Sequence, residues 1–288
     1  MVLTVPNWSF GRNRELARQF DDVLSASGLQ VHFASGDVDH NRTVTAFSGP
    51  LLGVTDTLFE LARIAIPAID LNRHIGVHPR IGALDVCPFI PITRDEKVAD
   101  LIDAVAGIGE RLAREFDLPV FLYEKSERGR HEADLPTLRR GGFGSLAGKT
   151  LSPDFGPTQA HPQAGATVMG VRDFLIAMNS NFAGDDLGAV KQVAKEMRLA
   201  RQEGDPRYLG VRALGLPLAS RGLVQVSMNL TLPDLVSVDD ILEDILERGS
   251  KLGLKWAEHE LIGVIRPRDL ERATRLPHRP EQVVNVEL

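Results

Sequence analysis

The chain carries one cysteine, Cys87, in 288 residues, so no intramolecular disulfide can form and no thiolate-based zinc site can be assembled. A reducing, cytoplasmic setting fits that usage best. No stretch approaches the roughly eighteen apolar residues of a membrane-spanning helix. Met1-Val2-Leu3-Thr4-Val5-Pro6-Asn7 shows no basic segment leading into an apolar run, so neither export nor membrane insertion is expected. Excess positive charge is missing as well: the net charge is −6 and the pI about 5.8, which gives no general attraction for nucleic acid. G-x-G-x-x-G, G-x-x-x-x-G-K-[ST] and H-E-x-x-H are all absent, leaving a dinucleotide fold, an ATP phosphate loop and a helix-borne zinc site unsupported.

What is present is an ordinary globular composition, 43% hydrophobic and 25% charged, in a chain longer than one average domain. Two lobes are expected. Apolar runs and helical patterns alternate in an order that can be read twice. In the first half, strands at 2–5, 30–34, 43–47 and 86–90 and helices at 14–24 and 51–65 follow one another as βαββαβ. A long helix follows, opened by Thr93 and Glu96 as a capping box and striped by Val98, Leu101, Ile102, Val105, Ile108, Leu112 and Phe116. A strand at 120–123 precedes forty residues, 124–163, rich in Gly, Arg, Pro and His, whose only regular element is a short helix at 135–140. In the second half the strands fall at 174–179, 211–216, 224–230 and 255–264 and the helices at 187–202 and 238–252. The reading is therefore an α/β (α+β sandwich) chain of two ferredoxin-like βαββαβ halves, residues 1–170 and 171–288, the latter ending in a loosely attached tail at 273–288. A cleft between halves is the default ligand site.

The densest chemistry lies in Arg73-His74-Ile75-Gly76-Val77-His78-Pro79-Arg80-Ile81-Gly82-Ala83-Leu84-Asp85. Gly76 and Pro79 argue against a helix through both histidines, so this is an irregular approach to a strand. Imidazole titrates near neutrality and arginine offers a planar fork for carboxylates; together they suit proton transfer on an anionic substrate, although a solvated basic turn has the same composition. The same glycine and proline spoil a metal geometry for His74 and His78, and His161 or His259 stays open as a third ligand; no metal is expected. Asp37, Asp39, His40, Asn41 and Arg42 fill the turn between two strands, fit either for a small polar substrate or for a solvated hairpin. Pro6-Asn7-Trp8-Ser9-Phe10-Gly11 leads into a helix start that suits an anion. Pro153-Asp154-Phe155-Gly156-Pro157 and the residues up to Thr167 read either as the wall of a slot for a flat heterocycle or as a stiffened linker. Gly141-Gly142-Phe143-Gly144 reads as a mobile flap, and Cys87, inside an apolar run, as a core thiol.

In order along the chain, Val5-Pro6-Asn7-Trp8-Ser9, Asp39-His40-Asn41-Arg42-Thr43-Val44, His78-Pro79-Arg80-Ile81-Gly82-Ala83-Leu84-Asp85-Val86-Cys87-Pro88-Phe89, Pro153-Asp154-Phe155-Gly156-Pro157 and Gly165-Ala166-Thr167 resemble the motifs of the glutamate formimidoyltransferases. These are the formiminotransferase module of formiminotransferase-cyclodeaminases. The resemblance runs from about Val5 to Leu270. It implies two α/β subdomains with folate in a tunnel between them, a homodimer, and transfer of the formimino group of N-formimino-L-glutamate to N5 of tetrahydrofolate in histidine degradation, with no metal.

By that resemblance the catalytic histidine, the one followed by Pro-Arg, is His78. Asn7, Asp39, Asn41, Arg42 and Arg80 are the expected substrate-binding residues. The segment Gly156, Pro157, Thr158, Gln159, Ala160, His161, Pro162, Gln163, Ala164 and Gly165 is the expected folate contact. The sequence departs from the family where Phe10 and Val77 stand in place of two glutamates, and where Lys255-Trp256-Ala257-Glu258-His259-Glu260 replaces a Gly-Ser-Glu pattern. If Phe10 and Val77 border the site, substrate or activity has drifted. Two further readings follow: another one-carbon folate conversion on the same fold, such as that of 5-formyltetrahydrofolate, and a non-catalytic folate-binding protein.

Overall fold

A computed structural model describes residues 1–287. It separates into two compact units, Met1–Arg172 with residues 286–287, and Asp173–Asn285. The chain is mixed α and β, with one sheet in each unit. No helix among the described residues is long and apolar enough to cross a membrane.

The first unit opens with β1 (Val2–Thr4) and β2 (Asn7–Trp8). The break between them falls at Pro6, which has no N–H for a ladder but whose carbonyl accepts from Thr45 N at 3.1 Å. Next is α1 (Arg14–Ala26), started by Asn13, whose side chain accepts from Leu16 N, and held by Leu16, Phe20 and Leu24 on one buried stripe. β3 (Gln30–Asp37) and β4 (Arg42–Gly49) form a hairpin across the Asp37–Arg42 pair. α2 (Leu51–Ala68) then leads to β5 (Leu84–Pro91), every residue of which is buried.

α3 (Val98–Phe116) buries Leu101, Val105, Ile108 and Leu112, as its stripe predicts, and ends at Asp117 in the left-handed region. Its start is a correction: the helix begins at Val98 with Lys97 as an N-cap that makes no side-chain bond. Thr93 and Glu96 form a turn instead, and their side chains accept from the Met1 ammonium.

β6 (Val120–Leu122) is followed by α4 (Leu135–Leu138), a single turn with Pro136 as its second residue and capped by Asp134. β7 (Thr167–Val171), a strand that no local sequence pattern announces, lies parallel between β5 and β6. All five of its residues are buried, the signature of a parallel strand covered on both faces. The sheet order is β1-β4-β2-β5-β7-β6, with β3 paired to β4. The central core combines Trp8, Phe20, Phe47, Phe59, Phe89 and Leu112, and a smaller cluster joins Ile81, Val86, Phe121 and Leu146.

The second unit contains β8 (Ile176–Ala183), α5 (Leu187–Gln202), β9 (Val211–Leu218), β10 (Leu223–Leu230), α6 (Val238–Lys251), β11 (Lys255–Ile262) and the short α7 (Pro267–Leu270). The four strands are antiparallel in the order β11-β8-β10-β9. Asp186 and Ser237 cap the two long helices. The C-terminal stretch is packed where the sequence suggested loose attachment. Leu276, Gln282 and Val284 are buried, and Gln282 Nε2 donates to Leu261 O and Gly263 O.

Candidate functional site

The first unit gathers the expected residues at one end of β4 and at the approach to β5. Asn41 sits at φ 46° at the hairpin tip, a conformation asparagine tolerates well. Its Oδ1 accepts from Gly11 N at 2.9 Å and its Nδ2 donates to Ile75 O at 3.2 Å. Three loops are thereby tied to one side chain. Asp39 is buried, and its carbonyl accepts from Val77 N. Asn7 lies in β2 between β4 and β5, donating to Val5 O at 2.9 Å.

His78 is half-buried on the irregular segment before β5. Its Nδ1 is 2.9 Å from Pro79 O, and Arg42 Nη1 is 3.0 Å from Nε2 and 3.2 Å from Nδ1. The consistent assignment is Nδ1–H donating to Pro79 O, with Nε2 accepting from Arg42. His40 faces the same ring at 5.6 Å between centroids. Burial first, then the charges of Arg42, Arg139 and His40, hold the His78 imidazole well below its ordinary range. It is therefore neutral at neutral pH, with a lone pair on Nε2.

The two expected arginines do different things. Among the described residues Arg42 hydrogen-bonds through its side chain only to His78, so Nε and Nη2 have no protein acceptor. Burial and the neighbouring Arg139 and Arg80 charges, opposed by Asp85 and Asp37, bring its pKa down to about 9; it stays charged. Arg80, by contrast, is 7% exposed and fully committed. Its Nε and Nη2 reach His78 O, Nη2 also reaches His40 O at 2.5 Å, and Nη1 reaches Asn41 O and His74 Nε2, each at 2.8 Å. All five N–H groups are occupied, so Arg80 clamps the 40–41 turn to the 74–78 loop.

The segment from Gly156 to Gly165 runs beside the residues that follow His78. Gly165 bridges Gly82, Ala83 N donates to Ala164 O, Leu71 N to Gln163 O, and Asn72 Nδ2 to Pro162 O. His161 Nδ1 accepts from Ala164 N at 2.9 Å and Gln163 N at 3.2 Å, which folds the segment back on itself. At its start, a cavity of about 560 Å³ is lined by Arg130, Leu151, Ser152, Pro153, Asp154, Gly156 and Thr158. That is the size of a small-molecule site. Asp154 Oδ2 accepts from Leu122 N and pairs with His131 at 2.8 Å. Gln159, Ala160 and Pro157 lie on the same loop without a regular element.

Asp85 closes the dense stretch read from the sequence, while two further neighbours, His131 and Arg139, carry no motif of their own. Asp85 is 1% exposed, accepts from Ile81 N at 2.8 Å, and lies 2.5 Å from Arg139 Nη2. His131 and Arg139 come from the low-periodicity stretch, whose only signal was its density of basic residues. Of the departures from the family pattern, Phe10 is a core residue, 4% exposed and edge-on to Phe20 at 4.9 Å. Its ring packs under α1, so its effect is on packing. Gly141-Gly142-Phe143-Gly144 leads into a 3-10 turn, Phe143–Leu146, that ends at buried Leu146. Cys87 is buried, with its thiol pushed up to about 12 by burial; the core-thiol reading stands.

Comparison with known proteins follows the same lines. The model of the formiminotransferase domain, N-terminal subdomain, matches residues 1–172. The chain is 32% identical over 272 residues to a glutamate formimidoyltransferase of Streptococcus pyogenes serotype M1, covering 92% of this chain and 88% of that protein. It is 30% identical over 272 residues to a glutamate formimidoyltransferase of Thermoplasma acidophilum, with the same coverage. It is also 35% identical over 275 residues to the formimidoyltransferase-cyclodeaminase of Sus scrofa, of which it spans 50%. With a family model over more than half its length and relatives of this similarity along nearly all of it, the chain belongs to the formiminotransferase family.

Proposed function

We propose that this protein is a glutamate formimidoyltransferase, moving the formimino group of N-formimino-L-glutamate to N5 of tetrahydrofolate, as the names of its full-length relatives indicate. The observation that carries the reading is the pair formed by His78 and Arg42. N5 attacks the amidine carbon, forming the new N–C bond and a tetrahedral intermediate. Its collapse breaks the bond to the glutamate nitrogen. The proton lost from N5 must be collected, and the glutamate nitrogen must receive one. A neutral imidazole fixed at Nδ1 can take the first proton on Nε2 and deliver it to the second nitrogen. Its depressed basicity makes the protonated form a ready donor.

Arg42 Nη1 lies 3.0 Å from Nε2 and covers it. A substrate carboxylate that takes the Arg42 fork uncovers the base in the same movement. Asn7, Asp39 and Asn41 are proposed to shape this pocket, with Arg80 bracing its loops. The amidine carries its own protonatable nitrogen, so the transfer needs no metal to polarise the carbon.

The segment from Gly156 to Gly165 is proposed to contact folate. Its support is that it pairs with the residues just after His78 and opens onto the cavity at Gly156 and Thr158. Two ferredoxin-like subdomains, a cytoplasmic homodimer and a role in histidine degradation complete the reading. The test is purified protein with tetrahydrofolate and formiminoglutamate, following release of glutamate and formation of 5-formiminotetrahydrofolate. Folate binding without turnover overturns the catalytic assignment, and ATP-dependent consumption of 5-formyltetrahydrofolate in its place overturns the substrate.

A further inference from the structure

The segment between β6 and β7 delivers a third guanidinium to the His78 neighbourhood. Arg139 follows the single turn of α4, and its side chain is 11% exposed beside an Asp85 side chain that is 2% exposed. The segment is anchored to the loop it serves. Asp134 caps α4, Gly142 N donates to Arg139 O at 2.9 Å, and Leu146 packs with Ile81.

The ion pair is incomplete. Arg139 Nη2 is 2.5 Å from Asp85 Oδ2, yet Arg139 Nε, Arg139 Nη2 and Asp85 Oδ2 are all buried without an aligned hydrogen bond. The other oxygen of Asp85 is committed to Ile81 N. Arg42, Arg80 and Arg139 act on one another, with Asp85 and Asp37 the carboxylates that oppose them on Arg42. Positive charge is therefore in excess in a partly buried place: Arg139 Nη2 faces Asp85, but Arg139 Nε is buried without an acceptor, and such a donor is costly until an anion meets it. Arg80 has no donor to offer. Arg42 and Arg139 do.

We propose that Arg139 is a substrate-binding residue of this site, its guanidinium completing with Arg42 a cradle for the carboxylates of the amino-acid donor, and that Asp85 is the positioning residue that holds it there. The proposal rests on the reading of His78 as the centre of transfer. The same chemistry is carried by the glutamate end of folate, so the two sources are separated in the test.

Binding of L-glutamate and of tetrahydrofolate is measured by calorimetry on the parent, Arg139→Gln and Arg139→Lys, and the His78 ring is titrated by NMR without ligand. Arg139→Gln is expected to weaken glutamate about tenfold or more and to leave tetrahydrofolate within about threefold. Arg139→Lys should recover part of the loss. Removing the Arg139 charge should also move the His78 titration upward, since the remaining neighbours, Arg42 and His40, are unchanged. The titration shift reports that Arg139 lies beside His78 whatever its role, whereas a merely structural role does not weaken one ligand selectively. Glutamate affinity equal to the parent's overturns the proposal. A larger loss for tetrahydrofolate than for glutamate assigns the cradle to the folate tail and overturns the donor assignment. If Arg139→Gln fails to fold, Arg139→Lys decides: unchanged glutamate affinity there overturns the proposal. Because these measurements need no turnover, a parent that fails to transfer the formimino group counts against the proposed function and leaves this result standing.

Discussion

At the level of single residues, the proposed site separates groups with hydrogen-bonding capacity to spare from groups that hold the others in place. His78 presents one nitrogen to Pro79 O and one to Arg42, so its removal should act on proton transfer far more than on binding. His78→Ala is expected to lower transfer by about 10²–10⁴-fold with tetrahydrofolate affinity retained; transfer within a few-fold of the parent contradicts the role. The arginines give a sharper contrast. Arg42→Lys keeps the charge and loses the fork, so the KM for formiminoglutamate should rise while the melting temperature holds. Arg80→Lys loses several of five internal bonds and should lower the melting temperature first. Equal effects of the two substitutions on KM and on melting refute the division. Sequence motifs placed His78, Arg42 and Arg80 in one site but could not say which arginine has spare donors, because that depends on carbonyls at positions 40, 41 and 78 meeting in space.

At the level of elements, helices and hairpins were legible because their signals are local. Asn13 and Asp186 cap where a stripe begins, and α5 has the bounds that its pattern predicts. β7 was not legible. Its pairing partners, β5 and β6, lie far away in sequence, and Gly170 inside it weakens any strand pattern. The glycine is needed because a Cβ there would lie 2.4 Å from Tyr123 O. Likewise the stretch between β6 and β7 has almost no periodicity, yet tertiary contacts fix Arg139 and His131. The same logic governs Gly165, which stands at φ 73° with a Cβ position only 2.0 Å from Ile81 O. Gly165→Ala combines backbone strain with a clash against main chain, and should cost about 1–3 kcal/mol or more. Denaturant unfolding measures it, and a loss below about 0.5 kcal/mol shows that the segment can shift away from residues 81–83.

For the whole molecule, three histidines give stability a pH dependence whose sign can be worked out. His74, His78 and His259 all have imidazoles held below the ordinary 6.5, in each case chiefly by burial, helped by Arg80, Arg42 and Arg275 respectively. Each binds a proton more weakly in the folded chain than in the unfolded one. Above about pH 6.5 both states are neutral at these sites and they contribute no slope. As pH falls from there toward the folded values, the unfolded chain takes up protons first, so stability falls with pH through that window. A separate loss comes lower. The carboxyls of Asp234, Asp239 and Glu260 sit below their ordinary 3.8 to 4.5, held there against burial by Arg266, by the 274–275 backbone and by Arg221. Their contribution is complete above those ordinary values and disappears as pH falls through the depressed ones. Melting temperatures from pH 8 to pH 3 should therefore be flat, then decline below about 6.5, then decline more steeply below about 4. Replacing His78 by Gln should flatten the first decline and leave the second intact. A parent whose melting temperature is constant or rises between pH 6.5 and 5 would show that these imidazoles take up protons as readily in the folded chain, and with that the neutral base assigned to His78 would fall.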